Sequence, residues 1–151
     1  MAIEKTLVLI KPDGMRRRLA GFSIDRLDTA GLEMVGAKIV SVTEELAREH
    51  YKMLEGKSFF PTLIKFMTSE FDKVSNRRVL ALVYKGENAI QAIREVVGAT
   101  NPEDAAPGTI RCSCGKLAPQ GHIANVVHAS GNAGDAEREL KLWFKPGELV
   151  E

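Results

Sequence analysis

The chain has 151 residues, of which 44% are hydrophobic and 27% are charged, and this is the make-up of one globular domain with a real core. Its formal net charge of +1 excludes the strong positive field of a protein that coats nucleic acids or acidic membranes. No apolar run approaches the roughly 20 residues of a membrane span, and the N-terminus lacks a signal-peptide pattern. We expect a single domain over residues 1–151, in the cytoplasm, with neither a membrane nor a nucleic acid as its main partner.

The first part of the chain predicts a strand, a helix and a second strand. An unbroken apolar run at residues 6–10 stops at Lys11-Pro-Asp-Gly14, as a buried strand does where it enters a turn. Helical spacing at residues 23–30 ends at Gly31. The β-branched residues late in 32–42 indicate the second strand.

Two helices and a loop are expected next. Thr43 is placed to cap a helix that reaches about residue 54, with acids in its first turn, where the helix dipole favours them. A short helix is predicted at residues 60–67. Residues 69–78 are polar and of mixed charge, which is typical of an exposed loop.

A strand at residues 79–84 and a helix at 88–97 open the second half, and the apolar residues of that helix share one side. Residues 98–122 show little periodicity. So long a stretch without its own element in a compact domain is usually functional or disordered.

The last strand and helix complete two β-α-β units. The strand is predicted at residues 123–127 and the helix at about 133–142, with Asn132 as its N-cap and Asp135 as the acid of a capping box. The order β-α-β-α-(α)-β-α-β-α fits an α+β fold, a ferredoxin-like split βαβ sandwich with a four-stranded antiparallel sheet and helices on one face. Many unrelated functions use that fold, so the activity has to be argued from the site.

The segment Asn125-Val-Val-His128-Ala-Ser130 carries the first candidate for chemistry. It places a histidine at the end of an apolar run, and the chain has only two others, His50 and His122. A neutral imidazole is a nucleophile that works at neutral pH. The alternative is a half-buried histidine satisfied by one hydrogen bond, and the hexapeptide alone favours that interpretation.

Cations and hydroxyls that could bind phosphate occur at three places. Lys11 follows the first strand, Arg94 lies in the helix at 88–97, and Arg111 lies in the long irregular stretch with Thr100. An arginine binds phosphate oxygens bidentately, but each cation could equally be a solvated side chain or a weak surface ion pair. The P-loop sequence and the glycine-rich and His-Arg-Asp loops of protein kinases are absent from the sequence.

Two aromatic residues and one acid complete the set of candidates. Phe59, beside a polar turn, could stack on a nucleobase or pack in the core, whereas Phe60 is assigned to the core. Tyr51, late in the helix that begins after Thr43, could likewise be a residue that only packs in the core. Glu139 on the last helix could hydrogen-bond one nitrogen of His128 and fix its tautomer, unless it is only solvated.

Two other classes of protein fit the sequence less well. A ferredoxin-like nucleic-acid module would carry exposed aromatics on adjacent strands, and the strands here are mostly aliphatic. Cys112 and Cys114 are too close for a relaxed disulfide and too few for a zinc site alone. We therefore expect reduced thiols and give a redox or metal role a low rank.

Taken together, these residues resemble the nucleoside diphosphate kinase family, with the motifs in the family's order over almost the whole chain. The matching segments are Thr6-Leu-Val-Leu-Ile-Lys-Pro-Asp-Gly14, Glu49-His-Tyr51, Phe59-Phe-Pro61, Gly98-Ala-Thr-Asn-Pro102, Pro107-Gly-Thr-Ile-Arg111 and Asn125-Val-Val-His-Ala-Ser130. Several independent motifs in register are far more specific than any one of them.

The resemblance implies a ping-pong transfer of the γ-phosphate of a nucleoside triphosphate, usually ATP, to a nucleoside diphosphate, with low base specificity. It implies that His128 becomes phosphorylated, that Glu139 orients it, and that Phe59 stacks on the base. The residues that match phosphate and ribose contacts of the family are Lys11, Tyr51, Arg94, Thr100, Arg111 and Asn125. Family members use Mg²⁺ held mainly by the nucleotide phosphates, without metal ligands from the protein, and assemble as homo-oligomers, either hexamers or tetramers.

The sequence departs from the family in four places. Gly131 stands where the family usually has aspartate, Ala124 where it has arginine, and Arg111-Cys-Ser-Cys114 where it has Arg-Gly-Asp-Phe. The loop after Ser69 is longer than usual. No matched catalytic residue is lost, but the departures keep one alternative open, a nucleotide-binding regulatory protein with reduced turnover.

Overall fold

A four-stranded antiparallel sheet forms the centre of the fold. The computed structural model describes residues 2–70, 78–118 and 123–151. The strands are β1 (Ile3–Ile10), β2 (Glu33–Ser41), β3 (Arg78–Glu87), β4 (Lys116–Leu117), β5 (Ile123–Ala124) and β6 (Val127–Ala129). The main sheet has the order β2-β3-β1-β6, and β4 pairs with β5 in a separate two-stranded sheet.

Seven α-helices surround the sheet in the part of the chain that the structure describes. They are α1 (Pro12–Arg16), α2 (Ala20–Asp28), α3 (Glu44–His50), α4 (Phe60–Met67), α5 (Ala89–Val97), α6 (Ile110–Cys114) and α7 (Ala133–Trp143). Short 3₁₀ turns lie at Lys52–Leu54, Pro102–Asp104 and Pro146–Glu148. Within the described ranges, no helix is both long enough and apolar enough to cross a membrane.

Helices cover both faces of the sheet. On one face, Leu7 and Leu9 of β1 pack with side chains of α3, α4 and α7, and on the other face Val8 and Ile10 pack with side chains of α2 and α5. The α+β class and the four-stranded antiparallel sheet are thus confirmed, whereas the expectation of helices on one face is wrong. Because all four of these β1 side chains are fully buried, the strand needs an apolar layer on each side.

Several local predictions agree with the structure. The helix predicted at residues 60–67 has these bounds, as α4. The hydroxyl of Thr43 accepts a hydrogen bond from the Leu46 amide, as an N-cap does. Asn132 likewise caps α7 by accepting from the amide of Asp135, although the Asp135 carboxylate bonds the Asn132 side chain rather than its backbone.

Three predictions differ from the structure or cannot be compared with it. The turn expected after β1 is the short helix α1, which begins at Pro12, because proline at the first helical position is already set for a helix. The strand expected at 123–127 is interrupted at Asn125 and Val126, so that its two parts belong to different sheets. Most of the predicted loop at 69–78, the end of the 98–122 stretch and His122 lie outside the described residues.

Candidate active site

One cavity of about 630 Å³ opens at the end of the sheet where β1 and β6 meet the irregular segments. All nine residues that the sequence analysis singled out line it, namely Lys11, Tyr51, Phe59, Arg94, Thr100, Arg111, Asn125, His128 and Glu139. The volume falls within the range of small-molecule sites. The fold therefore brings together residues that are up to 128 positions apart in the chain, from Lys11 to Glu139.

His128 sits in the middle of β6, directly opposite Leu9 of β1. Its Nε2 lies 2.8 Å from Oε1 of Glu139, which projects from α7. A carboxylate can only accept a hydrogen bond, so we assign the ring proton to Nε2. Nδ1 then carries a lone pair, and no described residue donates a hydrogen bond to it.

Glu139 is itself held by the neighbouring strand. The Ser130 hydroxyl donates to the same Oε1 at 3.0 Å, and Ser130 Oγ accepts from the Leu7 amide at 3.2 Å. Ser130 is fully buried and Glu139 is 3% exposed. The orientation of the His128 ring is therefore fixed through a chain of hydrogen bonds that leads back to the backbone of β1.

The electrostatics of this pair favour a neutral imidazole. Burial lowers the pKa of His128 to about 3, and the nearby charges of Lys11 and Arg111 act in the same direction. Burial raises the pKa of Glu139, while the hydrogen bond from Ser130 opposes that rise. The contact between the two side chains is consequently a hydrogen bond from a neutral ring rather than an ion pair, even though its 2.8 Å length would suit either.

A strained turn at Val126 positions the residues on both sides of it. Val126 has φ of 71°, and the Val127 amide donates to the Asn125 carbonyl at 2.8 Å, which makes this a γ-turn. Positive φ is unusual for a β-branched residue. Two contacts hold it there, because the Val126 amide donates to Oδ2 of Asp13 at 3.0 Å and its carbonyl accepts from the Lys11 amide at 2.9 Å.

Asp13 is a residue of the site that the sequence motifs did not predict. This carboxyl group is fully buried in the first turn of α1, and its position between Pro12 and Gly14 was the one available signal, an acid in a tight segment next to a candidate site. Its contact with Val126 explains why both Asn125 and His128 can point into the same cavity although a regular strand would send alternate side chains to opposite faces.

Lys11 and Asn125 form a buried polar pair at the base of the cavity. Lys11 Nζ donates to Oδ1 of Asn125 at 2.5 Å, and Asn125 Nδ2 donates to the Thr100 carbonyl at 2.9 Å. Burial lowers the pKa of Lys11 to about 8, the charge of Arg111 acts in the same direction, and the charge of Asp13 opposes it. Lys11 is therefore a fixed cation at neutral pH, although it is only 5% exposed.

The two arginines differ in how firmly they are held. Arg111 donates from Nη1 to the Gly98 carbonyl and from Nη2 to the Val127 carbonyl, both at 2.9 Å. Burial lowers its pKa to about 10, so the guanidinium stays charged at neutral pH. Arg94 lies in the last turn of α5 and is exposed at the edge of the cavity.

Of the two neighbouring phenylalanines, one is exposed at the cavity and the other is buried in the core. Phe59 is 49% exposed at the mouth of the cavity, whereas Phe60 is 5% exposed and belongs to the core. Tyr51 is buried, its hydroxyl lies 3.7 Å from the sulfur of Met67, and burial raises its pKa well above the ordinary value.

His50 is a second site residue that the sequence analysis left without a role. Its ring centroid lies 4.4 Å from that of His128, in an edge-on arrangement, and its Nδ1 accepts from the indole N–H of Trp143 at 2.9 Å. Its position in the Glu49-His-Tyr51 motif was a signal that could have been used. His50 therefore packs edge-on against the His128 ring and lines the same cavity.

The cysteines take no part in these contacts. Cys112 is exposed and Cys114 is half-buried, and both are free thiols in α6. The Cys114 carbonyl accepts from Arg17 at 2.7 Å, which ties α6 to the end of α1.

Comparison with known proteins identifies the family. The family model for nucleoside diphosphate kinase matches residues 4–149. The chain belongs to the nucleoside diphosphate kinase family. It is 44% identical to the nucleoside diphosphate kinase of Bacillus licheniformis over 149 residues, covering 99% of this chain and 93% of that protein. The Pyrococcus furiosus enzyme is also 44% identical, with 99% of this chain and 88% of that protein covered.

Solved structures of the family agree with the fold described above. A nucleoside diphosphate kinase from Borrelia burgdorferi, a transition-state mimic with bound vanadate and ADP, superposes with a TM-score of 0.86 at 38% identity and covers 99% of this chain and 91% of that one. The structure of a halophilic nucleoside diphosphate kinase from Halobacterium salinarum in complex with CDP superposes with a TM-score of 0.85 at 42% identity. It covers 99% of this chain and 93% of that one. The chain is accordingly an enzyme that transfers the γ-phosphate of a nucleoside triphosphate to a nucleoside diphosphate by way of a phosphohistidine.

Proposed function

We propose that His128 is the phosphorylated histidine and that Nδ1 is its nucleophilic atom. The observation that carries this assignment is the 2.8 Å contact between Nε2 and Glu139, because it occupies one ring nitrogen of a residue that lines the cavity and leaves the other nitrogen without a hydrogen-bond donor among the described residues. The low pKa of His128 supports it further, since the ring is neutral and its Nδ1 is unprotonated throughout the neutral pH range.

In the first half-reaction the Nδ1 lone pair attacks the γ-phosphorus, the bond from phosphorus to the β,γ-bridging oxygen breaks, and the nucleoside diphosphate leaves. The phosphorylated ring keeps its proton on Nε2 and gains positive charge, which the Glu139 carboxylate stabilises. A second nucleoside diphosphate then reverses these steps. One site serves donor and acceptor in turn, as ping-pong kinetics require.

The remaining site residues are proposed to hold the nucleotide. Positioning and charge neutralisation dominate the catalysis of phosphoryl transfer. We assign phosphate and ribose contacts to Lys11, Tyr51, Arg94, Thr100, Arg111 and Asn125, all of which line the cavity. Stacking on Phe59 would recognise any base, which explains low base specificity.

Mg²⁺ is the proposed metal, bound to the nucleotide phosphates. The donor set fits this arrangement, because Mg²⁺ prefers oxygen ligands and commonly binds through substrate phosphates and one or two carboxylates. Among the described residues that line the cavity, the carboxylates are Glu139, which is committed to His128, and Asp135. The ion would neutralise phosphate charge during transfer.

Assembly and location remain proposals of the same kind. We propose one domain over residues 1–151, a homo-oligomer that is a hexamer or a tetramer, and a cytoplasmic location. Exposed apolar side chains on the edge strand β2, Met34 at 41% and Ile39 at 62%, support a subunit contact. Light scattering measures the subunit number.

The test of the proposed function is labelling with γ-labelled ATP. We expect the protein to take up label in an acid-labile, base-stable bond and to release it to a nucleoside diphosphate. His128→Ala should abolish labelling, while the matched control His122→Ala, outside the motif, should retain it. Labelling that survives His128→Ala would overturn the assignment.

A further inference from the structure

Asp135 is a cavity residue to which the mechanism above gives no role. It lies in the first turn of α7 and lines the cavity together with Arg94 and Gly131. The other carboxylate on the described part of the lining, Glu139, is bonded to His128 and Ser130. Asp135 is thus the acid on the described part of the cavity lining that is not hydrogen-bonded to His128.

The position of this carboxylate is well defined. The Asp135 amide donates to Oδ1 of Asn132 at 2.8 Å, and Nδ2 of Asn132 donates back to Oδ2 of Asp135 at 3.0 Å. Oδ1 of Asp135 accepts no hydrogen bond from the described residues. A half-exposed carboxylate oxygen is therefore left available at the edge of the cavity.

Gly131 provides the space for it. A Cβ atom at this position would lie 3.0 Å from Oδ2 of Asp135 and 3.8 Å from Nη1 of Arg94. The carboxylate and the guanidinium consequently flank the same point, and the negative charge there comes from α7.

A carboxylate here has opposite effects on two forms of the same nucleotide. It repels a metal-free polyphosphate, and it attracts a polyphosphate that carries a divalent cation. The Asp135 charge acts at His128, where the transferred phosphoryl group arrives, so the effect falls on the reacting end of the nucleotide. We infer that Asp135 is a specificity-determining residue that makes the site select the magnesium-bearing nucleotide over the free polyanion.

This inference rests on the proposed use of Mg²⁺, and binding measurements test it separately from activity. Calorimetry would give the affinity for ADP in excess Mg²⁺ and in EDTA. Asp135→Asn should weaken binding of Mg·ADP and strengthen binding of free ADP, changing their ratio about tenfold, as expected from the loss of one nearby charge. The control Glu137→Gln removes an acid from the exposed face of the same helix and should leave the ratio unchanged.

A second variant relocates the charge instead of removing it. Asp135→Ala combined with Gly131→Asp returns a carboxylate to the same point from the neighbouring strand end and should restore the wild-type ratio. This outcome separates charge from any effect of Asp135 on the stability of α7, which thermal melting would report.

The possible failures are distinguishable. If Asp135→Asn changes both affinities in the same direction by the same factor, the residue is structural and the inference is overturned while the proposed function stands. If the wild-type protein binds ADP equally well with and without Mg²⁺, selection of the metal form is absent and the inference is likewise overturned. If the wild-type protein binds no ADP at all, the proposed function fails first.

Discussion

The base of the cavity and its edge are built on different principles. The base consists of four almost fully buried side chains and the half-buried His128, all hydrogen-bonded to one another or to the backbone. The four buried residues are Lys11, Asn125, Ser130 and Glu139. The edge consists of side chains that are exposed or half-exposed and are held mainly by their own helix or turn, namely Phe59, Arg94, Thr100 and Asp135.

This difference separates the chemical step from recognition. The reacting group is fixed before the substrate arrives, so the enzyme spends little reorganisation energy during phosphoryl transfer. The edge is proposed to contact the nucleotide at its base through Phe59 and at its phosphates and ribose through Arg94 and Thr100, and these side chains can adapt because they are not part of the core. Substitutions at the base of the cavity should therefore reduce kcat, and substitutions at the edge of the cavity should mainly change KM.

The largest effect is expected for Glu139→Ala. It removes the acceptor that fixes the tautomer of His128 and stabilises the charge on the phosphorylated ring, so kcat should fall by about 10²–10⁴ with little change in KM. Glu139→Gln keeps an acceptor oxygen, so its kcat should fall less than that of Glu139→Ala. Steady-state kinetics with ATP and a second nucleoside diphosphate measure both, and equal losses in kcat for the two variants would show that the charge matters and the acceptor does not.

The next effect concerns the strained turn. Asp13→Ala leaves the buried Val126 amide unpaired, which should cost about 1–3 kcal/mol of unfolding free energy and lower kcat as the turn relaxes. Asp13→Asn retains an acceptor and should recover most of both quantities. Denaturant unfolding and kinetics test this. An Asp13→Ala variant with the stability and kcat of the wild type would mean that the turn does not depend on this contact.

At the edge, Phe59→Ala should raise KM about tenfold for every nucleotide, because base stacking contributes about 1–3 kcal/mol. kcat should change little, and Phe59→Tyr should behave like the wild type. Measurements with ADP, GDP, CDP and UDP would show whether the loss is uniform. A loss confined to one base would indicate a hydrogen bond to that base and contradict stacking alone.

The smallest effect is a pH dependence of kcat/KM that arises from Lys11, at the base of the cavity. The pKa of Lys11 is lowered to about 8, so raising the pH through that value removes its positive charge, and kcat/KM should decline there about tenfold per pH unit. His128, with its pKa near 3, should contribute no acidic decline around its ordinary value of 6.5. Lys11→Arg should shift the alkaline decline to higher pH. A decline of kcat/KM below about pH 6.5 that protonation of the nucleotide phosphates does not explain would contradict this. It would mean that His128 protonates more easily than its surroundings indicate.

The parts of the fold that the sequence predicted are those whose signals are local. Thr43 and Asn132 cap their helices by hydrogen bonds that reach three residues along the chain. The apolar run of β1 predicted a buried strand, and its lack of alternation was already a sign of two covered faces, which the one-face prediction overlooked. Pro12 in Lys11-Pro-Asp-Gly14 favours a turn, although proline also begins helices.

The features that were missed depend on partners distant in the chain. The positive φ of Val126 is held by Asp13, 113 residues earlier, so the local pattern Asn-Val-Val-His could only suggest a continuous strand. The contact between His50 and Trp143 spans 93 residues. Residue types and motifs predicted which side chains would share a cavity, but not how the backbone turns to bring them there.

The claim on which the account depends is that Nδ1 of His128 is the free nitrogen. Phosphorylation with ATP of protein carrying ¹⁵N-labelled histidine, followed by nuclear magnetic resonance, would locate the phosphorus directly. We predict a bond from phosphorus to Nδ1 of His128, with the proton retained on Nε2. A phosphorus atom on Nε2, or on any other residue, would contradict the account.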